Sequence, residues 1–438
     1  MIAEFRVKNF YSIKSEQTLN FMATSDTSMD DEYCFKVKEN VRLLKLGIVY
    51  GANASGKSNI LKALGFFKRI MLFSPENKTK KIEFEPFLLD TDSKNDESQM
   101  AMDFYLDAER YILNVTFNKN RVMSESLYFY QTVKPTLIYN RVYKEETDST
   151  EIEFGANSGI PKSSQYAIIG NTINNCTVMA AFGKSNVERS RLNLVYDFFF
   201  NHVNDVLEPR IPLLDYAKRH MEQDKDGKLK NFMKFLLKAS DFNISGFDLN
   251  KDEIPMTGEM IAAIQTAPFP PEVKTEMLKK GTMMKLEFLF HHKTDKGVFD
   301  LNEGLESVGT LRFMGMIVLL YDLLHDKRFI SIDEFESSLH YELLSYLIKL
   351  FLANSEGTSQ LLFTTHDINL LDEDFIRQDT IWFTDKDSSG ETQLKRLSNL
   401  KLRKVISPYN AYRQGKLVKL PFLGSAFINL KDIENECS

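Results

Sequence analysis

The chain has 438 residues, enough for two to four domains at roughly 100–200 residues each, or for one domain with large insertions. Hydrophobic residues make up 43% and charged residues 26%, which supports a buried core and excludes wholesale disorder. Lys+Arg is 55 against Asp+Glu 61, a net charge of −6, so a globally basic nucleic-acid coat is excluded while a local basic patch is not.

In chain order, residues 2–10 alternate as a strand would, and residues 17–22 supply a hairpin partner. Residues 43–50 form an apolar run that stops at Gly51, which predicts a buried strand meeting a turn. Residues 59–71 place Ile60, Leu61, Leu64, Phe67, Ile70 and Met71 at helical spacing. From about 83 to 140 the pattern is strand-like, with alternation in MAMDFYLD, YILNVTF and SLYFY. The polar stretch 145–175, rich in Ser, Asn and Gly, predicts loops. Residues 186–239 read as helices broken by a solvated turn at HMEQDKDGKLK, and TAPFPPEVK at 266–274 interrupts periodic structure. KLEFLFHH is strand-like, and VGTLRFMGMIVLLYDLLHD reads as a long buried helix. A strand at 329–332, a helix at 337–354 and a strand at 360–365 follow, an alternation that predicts a parallel sheet.

The three cysteines, Cys34, Cys176 and Cys437, lie far apart without CxxC spacing, which excludes a disulfide framework and fits a reducing cytoplasm. No segment approaches the ~20 consecutive apolar residues of a membrane helix, so no membrane contact is expected. MIAEFRVKNF lacks the apolar core of a signal peptide. The 17 Met and 34 Phe stand at helical spacing, which points to core packing rather than a cofactor site.

Four motifs carry chemistry. GANASGKS (Gly51, Ala52, Asn53, Ala54, Ser55, Gly56, Lys57, Ser58) matches G-x-x-x-x-G-K-[ST] between a strand and a helix. Its glycines let backbone N–H groups cradle phosphates, Lys57 reaches the β- and γ-phosphates, and the Ser58 hydroxyl ligates Mg²⁺. Asn59, next in line, counts with the nucleotide-binding residues. RFISIDEF ends an apolar strand in two carboxylates: Asp333 suits a Mg²⁺-organising acid and Glu334 can orient a water. LLFTTHD ends a second buried strand in His366, 33 residues after Asp333. Parallel strands present their C-terminal ends at one edge, which sets His366 against the same γ-phosphate. A lone histidine at a strand end is otherwise structural. LESVGT, before the buried helix, reads alone as a helix cap, or as small residues presenting N–H groups and a hydroxyl to a phosphate.

In this order, GANASGKS, LESVGT, ISIDEFESSLH and LLFTTHD resemble the ABC-type ATPase heads of the SMC and Rad50 kind. More narrowly, the chain is similar to compact AAA-family ATPases of bacterial abortive-infection and anti-phage systems, relatives of the ATPase half of OLD nucleases. FRVKNFYSIK, EPFLLD at 85–90, KASDFNISGFDL at 238–249, RQDTIWFTDKDSSG and YNAYRQGK share in the likeness. The resemblance implies an α/β fold: a P-loop ATPase head with a mixed or parallel sheet, flanking helices, an antiparallel β subregion and a helical insertion. It implies ATP and Mg²⁺ as ligands, with Lys57 and Ser58 on phosphate and metal, Asp333 supporting the metal, Glu334 polarising water and His366 sensing the γ-phosphate. The resemblance further implies that Ser307 and Gly309 act in trans over the ATP of a second subunit, with residues 336–340 as the D-loop crossing that interface. The signature ESVGT departs from the LSGGQ of transporters, and Gln99 is the remaining candidate for a Q-loop glutamine.

The division expected is an N-terminal lobe at 1–185, a helical insertion at 186–270 and a C-terminal lobe at 271–438. No long heptad run stands in the insertion, so short packed helices are expected there. DKD at 385–387 raises a nuclease-type metal site, but only 72 residues follow His366, and a polar hairpin turn is the expectation. Residues 393–419 hold eight basic residues and no acid, with Tyr409 and Tyr412 interleaved. This is either a solvated face or a contact for single-stranded nucleic acid or an acidic partner. The reading is a cytoplasmic ATPase that forms a homodimer or higher oligomer through sandwiched ATP and serves an anti-phage system with a separate effector, a nuclease or toxin. The alternatives are an ATP-locked scaffold that sequesters a toxin and an SMC-like DNA-maintenance ATPase.

Overall fold

The apolar runs at Leu46–Gly51 and Gln360–Thr365 are strands without a single exposed position, as strands covered on both faces must be. In the computed structural model, which describes residues 1–240, 243–267, 270–400 and 407–419, they lie at the centre of a five-stranded sheet. Its spatial order is Phe329–Ile332, Gln360–Thr365, Leu46–Gly51, Ile381–Lys386 and Thr392–Arg396. The first four strands run parallel and the last, joined by a tight turn, is antiparallel. Ile332 pairs with Phe363, and Thr365 with Tyr50, so the C-terminal ends of three strands reach one edge.

The chain divides into two units. The first comprises Met1–Leu207, Phe329–Phe335 and the described residues from Gln360 onward. Besides the parallel sheet it holds a seven-stranded antiparallel sheet, in which Glu109–Phe117 turns Tyr111, Leu113, Val115 and Phe117 inward at period two. Against those residues packs the helix Lys57–Leu72, whose Ile60, Leu61, Leu64, Phe67 and Met71 belong to the same core. Aromatic contacts knit it together: Phe66 and Phe117 at 5.1 Å between ring centroids, Phe104 and Phe198 at 4.9 Å. Each such side chain stabilises by roughly 1.5–3 kcal/mol through burial alone. The start of that helix is thereby fixed relative to the sheet.

The second unit comprises Glu208–Arg328 and Glu336–Ser359. It pairs a three-stranded antiparallel sheet (Ile244–Pro255, Thr282–Thr294, Gly297–Asn302) with helices. Val308–His325 is long and apolar enough to cross a membrane by length and composition, yet two thirds of it is buried in the protein. It packs on Leu213–Gln223, Lys228–Ala239 and Tyr341–Asn354. At Gly315 a Cβ would stand 2.3 Å from that of Leu213, so the glycine permits the close approach. The boundary after Leu207 falls inside the 186–270 segment expected as a helical insertion.

Several local expectations are corrected. Residues 145–175 are not all loop: Ser149–Phe154 is the edge strand beside Thr136–Lys144, and Lys162–Asn171 is a helix. The edge strand turns every second residue to solvent, and those polar positions mask it. The turn expected at 220–230 shrinks to 224–227, because its polar residues are the wet ends of Leu213–Gln223 and Lys228–Ala239. Pro271, expected to break structure, opens the helix Pro271–Lys280, where its missing N–H costs nothing. Strand structure expected from 83 begins at Ser98, and the helix expected from 337 begins at Tyr341. The resemblance segment 238–249 includes residues 241–242, which lie outside the described residues, as do 401–406 and 420–438.

Candidate functional site

The strand Leu46–Gly51 delivers the chain to the sheet edge at a glycine with no room for a side chain. A Cβ on Gly51 would stand 2.2 Å from Thr384 Oγ1 and 2.4 Å from Ser55 Oγ. The chain then curls through two left-handed residues, Ala54 (φ 62°) and Gly56 (φ 106°). At Gly56 a Cβ would strike Thr392 Oγ1 at 2.1 Å, so glycine is required by conformation and by space. Gly56 is also the N-cap of the 16-residue helix Lys57–Leu72, which has no side-chain cap. The positive end of its dipole therefore lies at the loop with no side-chain cap. Lys57, buried, donates from Nζ to Gly51 O at 2.8 Å and Ala52 O at 3.2 Å, and stands 3.5 Å from His366 Nδ1. Asn53 and Ala54 are exposed, while Ser58 and Asn59 are half-buried.

Asp333 follows the strand Phe329–Ile332 and is 8% exposed. Thr364 Oγ1 donates to its Oδ1 at 2.5 Å and accepts from the Glu334 N–H at 2.8 Å. Phe335 N donates to Thr364 O at 3.0 Å. Glu334 itself has φ 48°, a left-handed conformation that costs a non-glycine residue roughly 1–2 kcal/mol. Thr364 holds it there from both sides. His366 is exposed, one residue past the strand Gln360–Thr365. The edge of one sheet thus gathers 51–59, Asp333, Glu334 and His366.

Ser307 and Gly309 belong to the second unit. Ser307 caps the helix Val308–His325, its Oγ accepting from Thr310 N at 3.0 Å. A Cβ on Gly309 would stand 2.8 Å from Ser338 O, so LESVGT abuts the 336–340 segment. Leu305 and Val308 beside Ser307 are exposed, at 72% and 70%. The lead-in is pinned by carboxylates: Glu303 accepts from Lys218 Nζ at 2.6 Å and Phe288 N at 2.8 Å, and Glu306 bonds His292 Nε2 at 2.5 Å.

The remaining sequence expectations are placed as follows. Gln99 is an exposed residue in the strand Ser98–Leu106, opposite Lys8 and Thr116. Asp387 forms a polar hairpin turn, accepting from Ser389 N and Glu391 N. In the basic segment, Arg396 donates to Asp379 O and Met22 O over the Trp382 ring, and Tyr412 is buried beside Phe383. Lys395, Arg413, Lys416 and Lys419 are exposed, and Lys401, Arg403, Lys404 and Cys437 lie outside the described residues. Burial pushes the Cys34 thiol up to about 12 and the Cys176 thiol to about 11, so neither is a reactive thiolate near neutral pH. No group of three or more His, Cys, Asp and Glu among the described residues could hold a metal ion.

Sequence reasoning missed the hydroxyls that hold the motifs in place: Ser12, Thr364, Thr384 and Thr392. Thr364 and Thr384 are buried residues near the C-terminal ends of their strands, which is the only sequence signal they give.

Residues 48–372 match the family model described as "AAA domain, putative AbiEii toxin, Type IV TA system". The SMC head domain from Thermotoga maritima is 12% identical with a TM-score of 0.41, covering 90% of this chain and 98% of that one. The SmcHead bound to the C-winged helix domain of ScpA is 10% identical with a TM-score of 0.44, covering 90% and 97%. No curated protein matches the chain in sequence.

Proposed function

The chain belongs to that AAA-domain family, and from this premise we propose a Mg²⁺-dependent ATPase whose nucleotide state governs association with a second copy. The observation that carries the reading is the meeting of Lys57 Nζ and His366 Nδ1 at 3.5 Å, at the sheet edge that also bears Asp333 and Glu334. A loop closed to any Cβ at Gly51 and Gly56, with an uncapped helix behind it, suits a polyphosphate. Ser58 and Asp333 are the oxygen donors for Mg²⁺, which in such sites is held by one or two protein groups plus substrate phosphates. When bound, the cation neutralises charge developing on the transferred phosphoryl group. Lys57 exchanges its two carbonyl acceptors for phosphate oxygens. Glu334 accepts the proton of the attacking water, and His366 hydrogen-bonds the γ-phosphate. Ser307 and Gly309 of one subunit close over the nucleotide held by the other.

In this reading the protein is a cytoplasmic sensor or regulatory subunit of an abortive-infection system that controls a separate nuclease or toxin. The toxin named in the family description supports an effector of that class. Nucleic acid at 393–419 ranks second, because Arg396 and Tyr412 are packed inward.

Phosphate release from Mg-ATP, with and without DNA, tests the reading on wild type and Glu334→Gln. The amide preserves shape but cannot accept a proton, so turnover should fall by about 10²-fold or more while ATP affinity stays. The loaded variant should accumulate as a dimer in size-exclusion chromatography. Wild-type turnover in Glu334→Gln would assign the water to another residue, and failure of the wild type to bind Mg-ATP would remove the ATPase reading.

A further inference from the structure

Outside every motif, on the antiparallel edge strand, Thr392 sits against the phosphate loop. Its Oγ1 donates to the Ser55 carbonyl at 2.9 Å. That bond uses the only hydroxyl hydrogen Thr392 has. The 2.7 Å contact between Thr392 Oγ1 and Ser12 Oγ must therefore be donated by Ser12. Ser12 Oγ in turn accepts from Asn59 Nδ2 at 2.7 Å, and Ser12 O accepts from the Thr392 N–H at 2.7 Å. The result is a one-way chain of hydrogen bonds: Asn59 amide to Ser12 hydroxyl, to Thr392 hydroxyl, to Ser55 carbonyl. On its other side Ser55 is held by the same logic. Thr384 Oγ1 donates to Tyr50 O at 3.3 Å, so in the 2.6 Å contact of the two hydroxyls Ser55 is the donor.

A trans peptide is planar, and its C=O and N–H point in opposite directions. Fixing the Ser55 carbonyl toward Thr392 therefore aims the Gly56 N–H away from Thr392. That N–H has no acceptor among the described residues. We propose that Thr392 is a positioning residue for nucleotide binding: by holding the Ser55–Gly56 peptide, with Ser12 and Asn59 as its relay, it presents the Gly56 N–H to a phosphate oxygen. The inference rests on the reading of GANASGKS as a phosphate loop. It assigns a binding role to a residue 337 positions from the loop it serves. Each donor in such a chain polarises the next, so Ser12 strengthens the Thr392 bond it feeds.

Calorimetry with Mg-ATP on the full chain tests this, together with KM, kcat and the melting temperature of the nucleotide-free protein. Thr392→Val keeps the shape and loses the hydroxyl, so Kd and KM should rise about tenfold, one buried hydrogen bond's worth, with kcat at saturation within about twofold. Thr392→Ser should restore affinity to within about threefold of wild type. Ser12→Ala should weaken binding about threefold, and should add nothing to Thr392→Val, because its link to Ser55 runs through Thr392. Unchanged affinity in Thr392→Val, or Thr392→Ser as weak as Thr392→Val, overturns the proposal. So does a fall in kcat at constant Kd. Should Thr392→Val not fold, Ser12→Ala decides alone, and unchanged affinity there overturns it. If wild type itself binds no Mg-ATP, the phosphate-loop reading has failed, an outcome distinct from wild-type binding that Thr392 does not influence.

Discussion

The sheet edge of the first unit and the helix start of the second hold their motif residues by opposite means. At the edge, Glu334 and Gly56 adopt left-handed backbone, and distant hydroxyls keep them there: Thr364 for Glu334, Thr392 for the peptide before Gly56. At the helix start, Ser307 has ordinary extended backbone and satisfies only its own helix, three residues on. Of the two, only Glu334 is strained, since glycine takes a positive φ without steric cost; strained positions persist when the surroundings over-determine them, and they are common at functional sites. A self-satisfied cap has the same geometry whether or not a ligand ever meets it. The edge therefore has a tertiary restraint that the helix start lacks, and the chemistry of both is a matter for experiment.

Lys57→Ala should break the comparison on the edge side with the largest effect. The ammonium holds two backbone carbonyls in the loop and, in the function proposed above, is the charge that meets the β- and γ-phosphates. Two charge-assisted hydrogen bonds are lost, so Mg-ATP affinity should drop by at least about 100-fold. Calorimetric affinity equal to wild type would remove the phosphate-loop assignment.

Thr364→Val comes next. It removes the hydroxyl that joins the Asp333 carboxylate to the Glu334 N–H, leaving both with an unmet partner. Stability should fall by roughly 1–3 kcal/mol in urea unfolding. Relaxation of Glu334 should lower kcat about tenfold, with much less change in Kd, because positioning dominates phosphoryl transfer. A kcat equal to wild type would mean that the pose of Glu334 does not depend on Thr364.

The same contrast explains what was legible in the sequence. Gln360–Thr365 and Phe329–Ile332 were readable to the residue because strands buried on both faces appear as unbroken apolar runs. Once those runs are parallel, their C-terminal ends must share an edge, so the meeting of Lys57, Asp333, Glu334 and His366 followed from topology. The family match over 48–372 agrees with the resemblance those motifs carried. The edge strand Ser149–Phe154 and the helix ends near 220–230 were lost because their solvent-facing residues mimic loop composition. Thr392 and Ser12 were illegible for a different reason. Hydroxyl residues abound at turns, and only tertiary pairing across 380 positions sets these two apart. The inward packing of Arg396 and Tyr412 was likewise invisible in a run that reads as basic and aromatic.

The smallest expected change in stability decides the question that matters most for the helix start. Ser307→Ala deletes the acceptor for the Thr310 N–H, and a lost N-cap costs about 1 kcal/mol whatever else the residue does. Ser307→Asp keeps the cap, since a carboxylate accepts the same N–H and favours the positive end of the 18-residue helix, so unfolding should match wild type within about 0.5 kcal/mol. The two variants differ in what they offer a ligand. If Ser307 meets the γ-phosphate of a nucleotide bound to another subunit, the aspartate sets one negative charge against another, and dimerisation and turnover should collapse while ATP binding to the single chain is kept. If Ser307 only caps its helix, the aspartate should hydrolyse ATP as well as wild type does. Measured together, unfolding, ATP affinity and turnover of Ser307→Asp separate the roles that one geometry serves equally: a stable, ATP-binding, inactive variant assigns the helix start to a partner's nucleotide, and a stable, active one leaves it a cap.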